Sequence, residues 1–241
     1  MKIITMLLPM SLIAILSTGC TNSGSDNGDG NDTNQSPTPV NLPIQFFADG
    51  YFTQGYSENW GQVDFYDSLI GRQNDVGTVS VTTEITTIFN GQSAVPVNQT
   101  WSYTDTSTNV AYSISETFYY STNPIDRRLT GFTDNVSGVD YFFSSTATIP
   151  LFSTVGNSGT IGVYSGSDGI TTVAATWELR DGFNGNAYLD INLAYYNNVG
   201  DLIKRRKYSS LIDETGYSTF FQLEVTSFGH TTVLFTSDRQ S

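Results

Sequence analysis

The sequence predicts an all-β protein, built either as an antiparallel sandwich or as a strongly curved sheet of about ten strands. From Val76 onward, apolar residues alternate with Ser, Thr and Asn, which is the pattern of half-buried strands. The chain contains 14 Tyr, 15 Phe and 3 Trp, whereas only 14% of its residues are charged, a mixture that suits pleated sheets better than helices. Turn signals recur at about 8–12 residues, the spacing of antiparallel hairpins.

In the first half of the chain, the alternation predicts three strands whose apolar residues face inward. Asn90-Gly91 separates the first two as a hairpin turn. Asn123-Pro124 ends the third, and two shorter strands, 129–133 and 139–144, follow it. The residues expected to face inward are Val79, Val81, Ile85, Phe89, Val95, Val97, Trp101, Tyr103, Val110, Tyr112, Ile114, Phe118 and Tyr120.

The second half continues the same pattern. The stretches 173–179 and 187–195 alternate most regularly, and further strands are expected over 160–164, 202–208, 217–228 and 231–236. Adjacent aromatic residues, such as Tyr141-Phe142-Phe143, predict strands that are covered on both faces.

The two halves also resemble each other, which indicates an internal duplication. Gly77-Thr78-Val79 matches Gly159-Thr160-Ile161, and Thr100-Trp101 matches Thr176-Trp177. Ala111-Tyr112 matches Ala187-Tyr188, although the local alternation places the first Tyr inward and the second outward. We therefore expect two duplicated five-strand units, at 75–145 and 157–228, that pack as one body.

The N-terminus has the pattern of a signal peptide, residues 1–19. Lys2 supplies a positive charge, and an apolar run from Ile3 to Leu16 follows it. The run is shorter than the roughly 20 residues that span a bilayer. Small residues then lead to Cys20, so this part resembles a bacterial lipoprotein precursor, although Ser17 stands where that family usually has Leu. The resemblance implies cleavage before Cys20, its acylation with chains such as palmitate, and a lipid anchor in the cell envelope. We expect the outer membrane, at its periplasmic face or at the cell surface.

Residues 20–43 are predicted to form a flexible tether, and residues 44–241 a single all-β domain. Between Cys20 and Val40 the chain has no aliphatic or aromatic residue, so the tether has nothing to bury. The stretch from Asp26 to Asp32 superficially resembles a calcium loop, but the helices and the terminal Glu of an EF-hand are missing. A solvated spacer is the favoured interpretation.

Charge and cysteine content exclude several classes of function. Without residues 1–19 the chain has 9 basic residues (10 − 1) and 23 acidic ones, a net charge of 9 − 23 = −14. A field of that sign repels nucleic acid, so we expect no nucleic-acid partner. Because the single Cys would be lipidated, no thiol is left for a disulfide, a zinc site or a nucleophile. We expect no cofactor and no metal.

The ionisable residues argue against an enzyme. His230 is the only His, and no nucleophile motif accompanies it, so a Ser-His-Asp relay has no support. Glycoside hydrolysis requires two facing carboxylates. Glu84, Glu178 and Glu224 lie instead on the polar faces of their strands.

Glu116 is the exception, because it lies in the inward register of its strand, where an unpaired carboxylate is costly. Lys204 and Arg206 lie on the same face of their predicted strand as its apolar residues, so one of them is expected to reach inward. The prediction is a buried ion pair of Glu116 with Lys204 or Arg206, in preference to a catalytic site. The run from Lys204 to Lys207 is interpreted as protection of an exposed strand, with a docking site for an acidic partner or for lipopolysaccharide phosphates as the alternative.

Aromatic residues crowd the start of the domain. Tyr51, Phe52, Tyr56 and Trp60 form a candidate aromatic binding surface for a glycan, since aromatic rings offer flat apolar faces. The alternative is a first strand or two with a lid over the core.

The second half, 149–225, resembles a group of uncharacterised Gram-negative envelope lipoproteins. The shared motifs are a Gly-x-x-Gly-Thr-Ile/Leu-Gly strand, a Thr-Trp strand and a Tyr-Tyr-Asn/Asp-x-x-Gly-Asp/Asn-Leu hairpin. They correspond here to Gly156–Gly162, Thr176-Trp177 and Tyr195–Leu202. This resemblance implies no activity and no site.

Three functions stay open at this point. The favoured one is a membrane-anchored, non-catalytic module that binds an envelope protein or a glycan. The second is a carrier that holds a lipid or acyl chain in a concave sheet, which predicts an apolar cavity of several hundred Å³, roughly the lower range of ligand pockets. The third, least favoured, is a glycan-active hydrolase with paired carboxylates in a cleft.

Overall fold

A computed structural model of the chain describes residues 41–44, 57–60, 64–69, 71–73, 76–105, 109–123, 126–146, 149–227, 229–236 and 239–240. All of them belong to one compact unit, Pro39–Ser241. Within these ranges the chain is strand, turn or loop, so the all-β prediction is confirmed. No helix there has the length and apolar character that a membrane span requires.

The described residues form eighteen strands. In chain order they are β1 (Asn41–Pro43), β2 (Ser57–Trp60), β3 (Asp64–Asp67), β4 (Gly71–Gln73), β5 (Val76–Thr83), β6 (Thr87–Phe89), β7 (Gln92–Asp105), β8 (Val110–Ser121), β9 (Leu129–Asp134), β10 (Val139–Thr146), β11 (Phe152–Thr154), β12 (Ser158–Gly166), β13 (Thr172–Asp181), β14 (Ala187–Tyr196), β15 (Leu202–Ile212), β16 (Ser218–Ser227), β17 (His230–Thr236) and β18 (Arg239–Gln240).

Sixteen of these strands belong to one antiparallel sheet, and β1 pairs with β11 in a second, small sheet. In the large sheet the order is β18-β2-β5-β7-β8-β9-β10-β12-β13-β14-β15-β16-β17-β3-β4, and β6 adds to β7. The long strands therefore follow one another as neighbours, since each hairpin places the next strand beside the last. Eleven strands have six residues or more, close to the predicted number, and the other seven have two to four.

The sheet is strongly curved, because β2 and β3, which are neighbours in the chain, lie near opposite ends of the strand order. β2 pairs with β5 on one side and with β18 on the other. β3, which follows β2 after three residues, pairs with β4 and β17. Strands from the first and last parts of the chain thus lie side by side. Of the two architectures that the sequence allows, the structure has the strongly curved sheet.

The core lies on the concave face, where aromatic rings from the two halves meet. Trp101 on β7 stacks on Phe221 of β16, with ring centroids 5.1 Å apart. Phe118 on β8 meets Tyr208 of β15 edge-on at 5.6 Å. These contacts join strands that are far apart in the sheet order, and buried rings of this size supply much of the apolar area that stabilises a fold.

A second apolar cluster covers part of the convex face. Phe89, at the end of β6, stacks on Tyr119 with ring centroids 3.8 Å apart and also contacts Phe142 at 5.4 Å. Gly131 lies beneath the Phe89 ring, and a Cβ there would be 2.4 Å from its Cε1 atom. Strands β8 to β10 are therefore covered on both faces here, as their adjacent aromatic residues predict.

The alternation predicts the inward face well at the centre of the sheet and poorly at its margins. Val173, Trp177 and Leu179 are buried, as expected. Ile85 is 72% exposed and Tyr112 46% exposed, so their predicted burial is wrong. Ile85 lies in the loop between β5 and β6, and Tyr112 near the start of β8, where the sheet extends beyond its core. Val110, also predicted inward, is likewise exposed, and Phe89 packs on the convex face instead of the predicted inward one.

Each of the two predicted repeats contains five long consecutive strands, β5 with β7 to β10 and β12 to β16. Trp101 and its match Trp177 are both buried, but Ala187 is buried whereas its match Ala111 is exposed. The duplication stays a prediction. The signal peptide, Cys20 and the Asp26–Asp32 stretch lie outside the described residues, while residues 41–43, placed in the tether by their composition, form β1.

Candidate functional site

Four charged side chains meet inside the curved sheet, and we call them the charged cluster: Glu116, Asp134, Lys204 and Arg206. Glu116 on β8 lies directly opposite Asp134, the last residue of β9. Lys204 and Arg206 are two residues apart on β15, so both point to the same face. The curvature brings β15 across the interior toward β8 and β9.

Arg206 bridges the two carboxylates of the charged cluster. Its Nη1 donates to Glu116 Oε1, and its Nη2 is 3.0 Å from Asp134 Oδ2. Lys204 Nζ is 3.5 Å from the same Asp134 oxygen. The hydroxyl of Tyr208 donates to Glu116 Oε2. The structure therefore joins Glu116 to Arg206, whereas Lys204 contacts the carboxylate of Asp134, which the sequence pattern placed in a turn.

The charged cluster is buried and formally neutral. Glu116 is 1% exposed, Asp134 3% and Arg206 7%, and the side chain of Lys204 is 25% exposed. Two negative charges thus face two positive ones. Because a buried charge is tolerated only when it is paired and hydrogen-bonded, this balance explains how the sheet accommodates all four.

The aromatic ring of Tyr195 lies close to Lys204 and Arg206, the two cations of the charged cluster. Tyr195 of β14 lies opposite Lys204 in the sheet register. Lys204 Nζ is 4.2 Å from the centroid of this ring, and Arg206 Cζ is 5.7 Å from it. Both distances fall within the range of cation–π attraction, which is stronger where water is excluded.

Burial and neighbouring charges shift the pKa values of the two carboxyl groups in opposite directions. Burial raises the pKa of Glu116, against the opposing effect of Arg206. Burial acts in the same way on Asp134, but Arg206, Lys204 and the backbone N–H groups of Ser137 and Val136 outweigh it and lower the pKa of Asp134. Burial also lowers the pKa of Lys204.

The geometry of the charged cluster suits a structural role. Two facing carboxylates are present, as a hydrolase would require. However, Arg206 contacts both of them, and the second oxygen of Glu116 accepts from Tyr208. A substrate would have to displace these partners before either carboxylate could transfer a proton. Within the described ranges, no three His, Cys, Asp or Glu residues are grouped so as to hold a metal ion.

The cationic run from Lys204 to Lys207 does not protect an edge. β15 lies between β14 and β16, so the interpretation as an exposed strand is wrong. Its side chains do alternate between the two faces: Lys204 and Arg206 enter the charged cluster, whereas Lys207 is 3.5 Å from Glu224 on β16. The run thus balances buried and half-buried carboxylates.

The candidate aromatic binding surface falls largely outside the described residues, which omit Tyr51, Phe52 and Tyr56. Trp60 is the last residue of β2, and it pairs with Val79 and with Arg239 in the sheet register. The surface therefore stays a prediction.

Three turns at one end of the sheet present exposed aliphatic side chains, and we call them the aliphatic turn row: Val136, Ile170 and Val199. They are 67%, 57% and 74% exposed. The turns follow β9, β12 and β14, which run in the same direction, so all three lie at the same end of the sheet. The backbone of one turn is tied to its neighbour, because Ser167 N donates to Asp140 O at 2.7 Å.

The same local device positions each member of the aliphatic turn row. The residue two places earlier accepts a hydrogen bond from its backbone N–H: Asp134 from Val136 at 3.1 Å, Asp168 from Ile170 at 3.0 Å, and Asn197 from Val199 at 3.1 Å. These are Asx turns. Sequence reasoning identified the turns but missed their exposed aliphatic residues; an Asx-x-Val/Ile pattern in successive hairpins is the signal that identifies them.

A cavity of about 60 Å³ lies between the two halves of the sheet. This volume is smaller than the several hundred Å³ that the hypothesis of an acyl-chain carrier predicts. Its walls are mostly apolar, and they are formed by Ile44, Val81, Val97, Gln99, Phe118, Tyr120, Arg127, Leu129, Ile149, Ile161, Leu189, Ile191, Tyr208, Ser210 and Phe221.

Comparison of the chain with protein-family models, with curated proteins and with solved structures found no match. The geometry of the aliphatic turn row, the charged cluster and the cavity is therefore the basis for assigning a function.

Proposed function

We propose that this chain is a membrane-anchored envelope lipoprotein whose curved sheet binds a protein partner through the aliphatic turn row and catalyses no reaction. The observation that supports this proposal most directly is the presence of three exposed aliphatic side chains on successive turns at one end of the sheet. Single exposed apolar residues are common, but a group at one end of a fold is typical of an interaction site.

The chemistry of the aliphatic turn row favours a protein over a glycan. Val and Ile have no aromatic face on which a sugar ring could stack. Their exposed area becomes favourable to bury only against another apolar surface, such as that of a protein. The net charge of −14 without residues 1–19 (9 − 23) disfavours an anionic partner.

The absence of catalysis is supported by the charged cluster. Both of its carboxylates are buried, and both are paired with Arg206. Ion pairs of this kind perturb pKa values without any catalytic role. A formally neutral cluster of paired charges instead stabilises the curvature that positions the turns.

Membrane anchoring is tested by replacing the sulfur that would carry the lipid. We expect the wild-type chain to fractionate with membranes and to have an acylated N-terminus by mass spectrometry. The Cys20→Ser variant should lack the acyl mass. A wild-type chain without an acyl group at Cys20 would refute the anchor.

The protein partner is tested by site-specific photocrosslinking in cells. A photoreactive phenylalanine at Val136, Ile170 or Val199 should crosslink to one and the same envelope protein. Phe183 is the matched control: it is 72% exposed and held by an equivalent Asx turn, but its turn follows β13 at the opposite end. Ile170→Asp should abolish the crosslink formed from Val199. Equal crosslinking from position 183, or binding to purified glycan alone, would contradict the proposal.

A further inference from the structure

The cavity has an amide donor in an otherwise mostly apolar wall. Gln99 on β7 lines the cavity and is 8% exposed. Among the described residues its Nε2 atom has no hydrogen-bond partner. A buried donor without a partner destabilises a fold, so a group that accepts from it would bind there favourably.

We propose that this cavity is a binding site for a compact, uncharged apolar molecule with one hydrogen-bond acceptor, such as acetone, which accepts from Gln99 Nε2. The proposal is independent of the protein-binding role of the aliphatic turn row, since the cavity lies inside the sheet.

The walls define the apolar part of this ligand. Val81, Val97 and Phe118 contribute from the first half of the sheet, and Ile161 and Leu189 from the second. Apolar walls of this kind favour small apolar molecules.

The volume limits the size of the ligand. One water needs about 10–15 Å³, so a cavity of about 60 Å³ holds roughly four to six waters, or a ligand of about four to six non-hydrogen atoms. An acyl chain of a membrane lipid exceeds that size.

The neighbouring polar groups define the charge of the ligand. Tyr208 also lines the cavity, but its hydroxyl donates to Glu116. Glu116 in turn is paired with Arg206, so it offers no free charge to a cation. Ser210, which is 6% exposed, is a further polar residue in the wall. Arg127 also lines the cavity, and its Nη1 donates to the Ser121 carbonyl at 3.2 Å. This environment accommodates a neutral carbonyl group and disfavours a cation.

Two probes of the same shape and the same number of non-hydrogen atoms test the proposal: isobutene and acetone. The protein is the full chain with Cys20→Ser, which carries no acyl chain. We expect both probes to bind by saturation-transfer NMR, and acetone alone to shift the side-chain amide signals of Gln99. Gln99→Leu should lower the affinity for acetone relative to isobutene about tenfold, as expected for one lost hydrogen bond.

Variants that reduce the volume separate cavity binding from surface binding. Ile161→Phe should abolish binding of both probes, whereas Ile85→Phe adds the same ring at an exposed position and should leave binding unchanged. Val81→Ile adds only one methylene group and should weaken the binding of both probes. It is the second variant, for use if Ile161→Phe does not fold. The proposal is wrong if neither probe binds the parent protein, or if binding survives these cavity substitutions.

Discussion

Arg206 contacts Glu116 across the interior of the sheet, although the two residues are 90 positions apart in the chain. Their strands, β15 and β8, are separated in the sheet order by β9, β10, β12, β13 and β14. The contact therefore depends on the curvature of the sheet and, in turn, holds its two halves together. Four predictions follow from this arrangement and from the packing on the convex face.

The first prediction concerns the loss of the bridging cation. Arg206→Met should lower the free energy of unfolding by about 3–5 kcal/mol, because it leaves two buried carboxylates with only Lys204 as a charged partner. Lys207→Met, on the same strand, is the control. Its pair with Glu224 is about one-third exposed, so its removal should change stability by less than about 1 kcal/mol. Equal effects in urea denaturation would contradict a specific role for Arg206.

The second prediction is a loss of stability in acid that depends on Asp134. Its pKa in the folded protein lies below the ordinary value of 3.8. The stability that Asp134 contributes is therefore fully present above pH 3.8 and is lost as the pH falls through the folded pKa. The difference in unfolding free energy between wild type and Asp134→Asn should be constant near neutral pH and shrink in acid. A difference that grows in acid would disprove the assigned direction.

The third prediction has the opposite sign and concerns Glu116. Burial raises its pKa above the ordinary value of 4.5, so the folded protein takes up a proton here more readily than the unfolded chain. Wild-type stability should thus increase as the pH falls from above the folded pKa toward 4.5. Glu116→Gln lacks this proton uptake, so the advantage of the wild type over the variant should grow in that window. Urea denaturation at successive pH values measures it; a flat difference would show that the pKa is not raised.

The fourth prediction concerns the close packing of β6 over the convex face. A Cβ at Gly131 would be 2.4 Å from Phe89 Cε1 and 2.5 Å from the carbonyl oxygen of Tyr141. Gly131→Ala should therefore lower the free energy of unfolding by about 1–3 kcal/mol, as overpacking does. Adding Phe89→Leu should recover only part of this loss, because the carbonyl oxygen of Tyr141 belongs to the backbone and no substitution removes it. Full tolerance of Gly131→Ala in thermal unfolding would show that β6 does not pack here as described.

Local alternation predicted much of the candidate site. Glu116 faces inward because its register matches Ile114 and Phe118, and Arg206 shares the parity of Tyr208. The same reasoning failed for Asp134, because a residue at the junction of a strand and a turn has no alternation to reveal its face. It failed at Tyr112 for a different reason: parity gives the face of a strand but not where the core ends along it.

The sequence by itself determined the all-β class, the hairpin succession and the inward register of the central strands, because these depend on residues that are neighbours in the chain. Only the tertiary structure decided that Arg206 contacts both Glu116 and Asp134, and that Gln99 faces a cavity. Each of these depends on how far the sheet curves, and curvature arises from the packing of side chains from distant strands, which no local pattern records.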